Sequence, residues 1–315
     1  MIKYITFLYF FLKLMNFFLG NDIIILGDNM NGLLIIDKPK GITSRDVVNI
    51  VCSILNTRKV GHAGTLDPIA TGVLVVAVGN GLKILEFLNE DVKEYIATVK
   101  VGILTDTLDV TGKIVKEKDN YFLDSTKLSN IINSFKGKYL QEVPLYSSVK
   151  VDGKRLYKYA RDGIDVTLPK REVEIIEIEL LNISHDEFTF KALVSKGTYI
   201  RSLIRDIGEK LEIPCTMKEL RRTKQGNFDI NDAVTLEKIE SGKAKPVPIE
   251  KALKGLIFVP CDEELERKIM NGAILDNYYA ENIVGFKNKN NDVIAIYKVY
   301  DKDITKIKPL KVFKN

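Results

Sequence analysis

Twelve residues, Gly61-His62-Ala63-Gly64-Thr65-Leu66-Asp67-Pro68-Ile69-Ala70-Thr71-Gly72, constrain this chain more than any other stretch. Three glycines permit backbone angles and close approaches denied to other residues, and Pro68 stiffens the backbone directly after the single carboxylate, Asp67. The run that follows, Val73-Leu74-Val75-Val76-Ala77-Val78, is apolar without alternation and predicts a strand buried on both faces. A loop anchored on such a strand presents Asp67 at a fixed place. An Asp in a Gly-rich loop is also a common turn residue or helix cap, so this stretch alone leaves a catalytic and a structural reading open.

The neighbouring segments alternate between short strands and helices. Leu33 to Ile36 read as an apolar strand and Asp37 to Gly41 as a turn; Thr43 or Ser44 then caps a helix running to about Leu55, with Val47, Val48, Val51, Ile54 and Leu55 on one face. A short helix is expected from Gly81 to Leu88 and a strand from Tyr95 to Val101. Asp106 and Asp109 lie in the polar turn Thr105 to Gly112. Paired aspartates recur in magnesium sites, but no further acidic or His cluster completes a coordination set, so a hairpin turn held by side-chain to backbone bonds is the preferred reading.

Lys127 to Phe135 is expected to be helical, and Val173 to Leu181 to pair with Phe188 to Val194. Lys196-Gly197 makes a turn into a helix ending near Leu211, with Arg201 at its start facing either a cleft or solvent. After Arg222 the pattern loosens, and Ser241 to Pro248 reads as a linker. Beyond it a helix from Asp262 to Asn271 is stopped by Gly272, and strands follow over Ile283 to Phe286, Val293 to Val299 and Ile307 to Phe313.

Length enters here, because 315 residues exceed a typical single domain and suit one large domain with a small second one. A net charge of +5 suits a polyanionic partner without requiring one. Local clusters strengthen that reading. Tyr146, Lys150, Lys154, Arg155, Tyr157, Lys158, Tyr159 and Arg161 fall within sixteen residues, and Lys170-Arg171 and Arg221-Arg222-Thr223-Lys224 add two cationic patches. Cations that neutralise phosphates, interleaved with rings that stack on bases, are what looped or single-stranded RNA requires; a solvated helix face is the bland alternative.

Cys52, Cys215 and Cys261 are far apart and odd in number, which points to reduced thiols in a cytosol, and two histidines do not make a His-built metal site. The first nineteen residues are apolar enough to suggest a signal peptide or anchor, but Lys13 interrupts them and no small-residue cleavage site follows. Met30 is expected to be the initiator, with residues 1–29 a non-native or mis-assigned extension.

The Gly61 to Gly72 stretch resembles, almost residue for residue, the catalytic motif of the bacterial tRNA pseudouridine synthase B (TruB) family, Gly-His-x-Gly-x-Leu-Asp-Pro-x-Ala-Thr-Gly. The resemblance resumes in Gly32-Leu33-Leu34-Ile35-Ile36-Asp37-Lys38-Pro39-Lys40-Gly41, Lys93-Glu94-Tyr95, Thr105-Asp106-Thr107-Leu108-Asp109-Val110-Thr111-Gly112, Pro144-Leu145-Tyr146-Ser147-Ser148-Val149-Lys150 and Lys196-Gly197-Thr198-Tyr199-Ile200-Arg201. These blocks, in the family's order, span roughly Met30 to Ile249. The chain departs from the pattern at its N-terminus and at Ile103-Leu104, where many relatives carry polar or basic residues.

The resemblance implies an α+β fold. A mixed, mainly antiparallel sheet flanked by helices would form the catalytic domain, 30–249, and a PUA-like, β-rich RNA-binding domain would occupy 250–315. It implies isomerisation of uridine 55 in the T-arm of tRNA to pseudouridine, without metal or organic cofactor, by a cytoplasmic monomer. Asp67 would be the catalytic carboxylate and Arg201 the salt-bridge partner that keeps it ionised and oriented. Tyr95 would stack on the base and help in a late proton transfer, and His62 would hold the displaced nucleotide out of its stack. Asp109 would orient neighbouring groups near the cleft, while Lys38, Tyr199 and Leu220 would line it. Lys150, Lys154, Arg155, Arg161, Arg221 and Arg222 are the expected RNA contacts. The weighed alternatives are a catalytically idle RNA-binding or tRNA-folding protein, a phosphohydrolase built on Asp106 and Asp109, and a guide-RNA-dependent relative. The short tail without a long basic extension speaks against the last.

Overall fold

The computed structural model describes residues 30–88 and 92–314, and the expected N-terminal extension lies outside them. Eighteen strands follow in chain order: β1 (Gly32–Lys38), β2 (Val60–Ala63), β3 (Thr71–Val78), β4 (Lys93–Val101), β5 (Ile103–Thr105), β6 (Ile114–Glu117), β7 (Gly137–Glu142), β8 (Lys150–Val151), β9 (Lys154–Arg155), β10 (Lys170–Ile183), β11 (Glu187–Val194), β12 (Cys215–Gln225), β13 (Phe228–Asp229), β14 (Ile257–Pro260), β15 (Leu275–Asp276), β16 (Ile283–Lys287), β17 (Val293–Tyr300) and β18 (Asp303–Val312). The helices are α1 (Ser44–Ile54), α2 (Leu85–Leu88), α3 (Ser125–Asn133), α4 (Leu156–Asp162), α5 (Ile200–Leu211), α6 (Leu236–Glu240), α7 (Ile249–Ala252) and α8 (Glu263–Met270). Among the described residues, none is long and apolar enough to cross a membrane. The helix expected from Gly81 begins instead as a 3-10 turn, Gly79–Ile84, before α2.

Nine strands form the main sheet in the order β1-β3-β12-β4-β11-β10-β7, with β2 beside β3 and β13 beside β12. The pairs are antiparallel except β3 and β12, which makes the sheet mixed and mainly antiparallel as expected. β3 is buried on both faces. Leu74, Val76 and Val78 face a core that includes Val47, Val48 and Val51 of α1, while Val73, Val75 and Ala77 face Phe228, Ile249, Ile296 and Phe313. Each fully buried Val or Leu there contributes roughly 1.5–3 kcal/mol of transfer free energy, so the strand is a rigid base for the connection that precedes it.

β12 is the element that periodicity did not reveal. Its Arg221-Arg222-Thr223-Lys224, expected on the surface, runs between β3 and β4 in the middle of the sheet. Register shifts at Met217/Glu219 and Arg222/Lys224 break the two-residue alternation, so inward and outward positions cannot be counted along the strand. The segment expected as a linker is also built into the fold. Val247 exchanges backbone hydrogen bonds with Leu33 at 2.7 and 2.9 Å.

The second sheet, in the order β14-β16-β17-β18-β15, carries α8, which Asp262 caps by accepting from the Leu265 amide at 2.8 Å. Its Ile296 and the following Phe313 pack with Leu33, Ile35 and Val75, which docks this β-rich unit behind β1 and β3.

One glycine fixes how β3 and β12 meet. Gly72 has φ +99°, and a Cβ built there would stand 2.2 Å from the Arg222 carbonyl oxygen and 2.9 Å from its nitrogen. Gly72→Ala must push the central strands β3 and β12 apart or strain the backbone, and is expected to cost about 3 kcal/mol. A urea titration checks this: the midpoint should fall with unchanged slope, and an unmoved midpoint refutes the clash.

Candidate active site

Asp67 sits in the connection between β2 and β3, which pair antiparallel from Val60↔Val78 to Ala63↔Val75. That connection is stapled at both ends. Gly64 enters it at φ +72°, a conformation that side chains resist. Leu66, Ile69 and Ala70 are buried in the core. The buried Ser44 hydroxyl takes a hydrogen bond from the Leu66 amide at 2.8 Å and donates to its carbonyl at 3.1 Å, while Thr43 caps α1 through a capping box with Asp46. The choice between Thr43 and Ser44 is thereby decided, and Ser44 ties the helix to the loop. Asp67, held between the buried Leu66 and Ile69, keeps a side chain that is 35% exposed.

Arg201, in the first turn of α5, faces the cleft and not the solvent. Its Nε lies 2.9 Å from Asp67 Oδ2 and one terminal nitrogen donates to Oδ1 at 3.2 Å. The same guanidinium donates to the carbonyls of Thr107 at 2.9 Å and Tyr146 at 3.1 Å. Three segments distant in sequence therefore converge on one side chain that is 7% exposed. A two-point Arg–carboxylate pair fixes orientation as well as charge.

The cleft above this pair has a volume of about 460 Å³, and Tyr95, Tyr146, Tyr199 and Leu220 line it with Asp67 and Arg201. Its size lies in the usual range of small-ligand sites. Tyr95 on β4 and Leu220 on β12 are buried in the sheet and form part of the cleft wall. Tyr199 is held from behind by the buried Gln141, whose amide accepts from the Tyr199 N–H at 2.8 Å and donates to its carbonyl at 3.2 Å. The Arg171 guanidinium stands 5.5 Å from the Tyr199 ring centre.

Asp109 is one layer removed. Its carboxylate accepts from the Thr111 amide at 2.9 Å and the Thr107 hydroxyl at 3.0 Å, which shapes the turn that offers its Thr107 carbonyl to Arg201. Asp106 likewise accepts from the Lys113 amide at 2.8 Å. Both aspartates act as turn-builders. His62 lies on β2 opposite Val76 and does not line the cleft with Asp67. Burial, then the charges of Arg45 and Arg222, push its imidazole below the ordinary histidine range.

Three expected contacts change role. Lys38 does not line the cleft. It is fully buried, and its ammonium donates to the carbonyls of Pro39 and Ile42 at 2.8 Å and of Pro68 at 3.4 Å, bracing the loop after Asp67 from beneath. Burial pushes its pKa down to about 8. Arg222 is no phosphate contact either, because it is fully buried and forms part of the inner wall of the cleft. Arg221 forms a two-point pair with Asp37 at 2.8 and 3.1 Å, so its charge is largely cancelled.

Lys150, Arg155 and Arg161 are exposed on the β8–β9–α4 segment. Lys154 pairs with Asp162 at 2.7 Å and lies over the Tyr159 ring. Tyr157 of the same segment reaches the cleft, as do Lys93 and Lys196, which motif reading left without a role. Ser44, expected at most to cap α1, and Gln141 also build the site. Neither carries a local signal, since each acts through a partner more than twenty residues away.

Residues 53–200 match the family described as TruB family pseudouridylate synthase (N terminal domain), and residues 201–266 match the tRNA pseudouridylate synthase B C-terminal domain. Among curated relatives, the tRNA pseudouridine synthase B of Clostridium tetani is 43% identical over 272 residues, covering 85% of this chain and 92% of the relative. That of Bacillus subtilis is 40% identical over 301 residues, covering 90% and 97%. Among solved structures, a Cbf5-Nop10-Gar1 complex superimposes with a TM-score of 0.67 at 26% identity, covering 90% of this chain and 85% of that one.

Proposed function

Since the chain belongs to the TruB family of pseudouridylate synthases, which are isomerases, we propose that it converts uridine 55 in the T-arm of tRNA to pseudouridine, with Asp67 as the catalytic carboxylate. The reaction exchanges the N1–C1′ bond of uridine for a C5–C1′ bond, and the hydrogen on C5 for one on N1, with no net oxidation or hydrolysis. It requires an anion placed against one nucleotide removed from its stack, a displacement that costs a few kcal/mol in RNA.

The observation that carries the reading is the two-point Arg201–Asp67 pair at the floor of a cleft walled by Tyr95, Tyr199 and Leu220. The pair aims a carboxylate outward, and the rings offer faces for a base to stack on. Attack on C1′, addition to C6 and removal of a sugar proton all draw on this same carboxylate. The exposed cations Lys150, Arg155 and Arg161 sit on the segment whose Tyr157 enters the cleft, so they flank the path of a phosphate backbone. We further read residues 30–249 as the catalytic domain and 250–315 as a PUA-like RNA-binding domain of a cytoplasmic monomer.

The test is incubation of the purified chain with an unmodified tRNA transcript and no added cofactor, followed by mapping of pseudouridine. A single product at position 55 is expected. Product elsewhere overturns the positional assignment, and no product in any tRNA overturns the enzymatic reading.

A further inference from the structure

Arg222 is a fully buried guanidinium at the middle of the main sheet, paired in register with Gly72 of β3 on one side and Tyr95 of β4 on the other. Its Nε donates to the Val73 carbonyl at 2.7 Å and one terminal nitrogen to the Gly64 carbonyl at 2.9 Å. The other terminal nitrogen approaches the Tyr95 hydroxyl at 3.5 Å. Arg201, Arg205 and Arg221 each pair with a carboxylate, whereas Arg222, among the described residues, makes no ion pair. Sealing a cation from water without a counter-ion is costly, and packing alone would be served by a neutral side chain.

Its three contacts bear on the site directly. The Gly64 carbonyl opens the connection that holds Asp67, and the Val73 carbonyl lies just beyond its close, so one planar group gauges both ends of the loop. A guanidinium only donates, so at Tyr95 it occupies a lone pair of the phenol oxygen and leaves the tyrosine O–H to turn toward the cleft.

We propose that Arg222 is a positioning residue for pseudouridine formation, setting the Asp67 loop and the Tyr95 hydroxyl and holding an uncancelled positive charge within the cleft wall. This rests on the function proposed above. In that reaction N1 departs with the electron pair of the N1–C1′ bond, and the ring bears negative charge until C5 bonds C1′. A fixed cation in a dry wall favours that charge without touching the base.

The experiment compares wild type, R222A, R222K and R222Q on a tRNA transcript, measuring single-turnover rate, RNA affinity across a salt series, and rescue by added guanidinium or urea. R222A is expected to lose about a hundredfold in rate, as a loop misplaced by about 1 Å does, with RNA affinity and salt slope unchanged. Low millimolar guanidinium should partly restore the rate, and urea, which has a similar planar shape without the charge, should not. R222K should outperform R222Q, a comparison that stands if R222A does not fold. A wild-type rate in R222A, equal rescue by urea, or R222K no better than R222Q overturns the inference. So does weaker RNA binding with a salt slope reduced by about one at unchanged rate, the mark of a phosphate contact. A silent wild type overturns the function on which the inference rests; R222A as fast as an active wild type overturns the inference alone.

Discussion

Asp67→Asn is expected to lower the single-turnover rate of pseudouridine formation by about 10⁴-fold or more, the scale of loss when a reacting side chain is removed, with tRNA affinity close to wild type. The substitution keeps the size of the side chain and the stapled loop around it, because Ser44, Lys38 and the buried Leu66 act on the backbone and not on the carboxylate. What it removes is the negative charge and one of the two acceptors facing Arg201. Arg201 keeps the carbonyls of Thr107 and Tyr146, so the fold should survive. Binding is measured by filter retention of labelled tRNA and chemistry by quantifying pseudouridine with enzyme in excess. A rate within tenfold of wild type would falsify the assignment of Asp67. Lost binding together with lost rate would show instead that the substitution disturbs the RNA surface.

Arg201→Met is expected to differ in kind, losing both chemistry and stability. The guanidinium is nearly sealed, and it satisfies two backbone carbonyls besides the carboxylate. Methionine fills much of the volume but leaves those carbonyls without their donor and Asp67 without its clamp. About 3 kcal/mol of stability should go, through a buried network broken at its centre. The rate should fall about 10³-fold, the loss typical of a removed electrostatic partner. Urea titration reads the first effect and single-turnover kinetics the second. In Asp67→Asn combined with Arg201→Met the rate should fall little below that of Asp67→Asn, since the two side chains act as one unit. Multiplicative losses would show independent roles, and a stable, fully active Arg201→Met would end the claim that the pair organises the site.

Legibility in the sequence followed how local the physics was. The apolar run from Val73 to Val78 announced a strand covered on both sides, and cores are found on both of its faces. A capping box shows in four residues, although Thr43 and Ser44 were separable only once Ser44 met Leu66. β12 stayed hidden because two bulges disrupt its alternation and because its buried polar side chains find partners on other strands. Lys38 shows the same limit. A lysine beside a proline in a turn reads as exposed, yet carbonyls of the folded loops satisfy its ammonium in the interior.

By itself the sequence determined the elements whose causes lie within a few residues: the stiff connection that offers Asp67, the strand it hangs from, and the amphipathic helix that carries Arg201. Only the tertiary structure decided that Arg201 closes on a carboxylate 134 residues away while Arg222 turns inward. The reason is that glycine, proline and apolar spacing act through local dihedrals and periodicity. The surroundings of a charged side chain are set by whichever strands the sheet places beside it, and that register is a property of the whole chain.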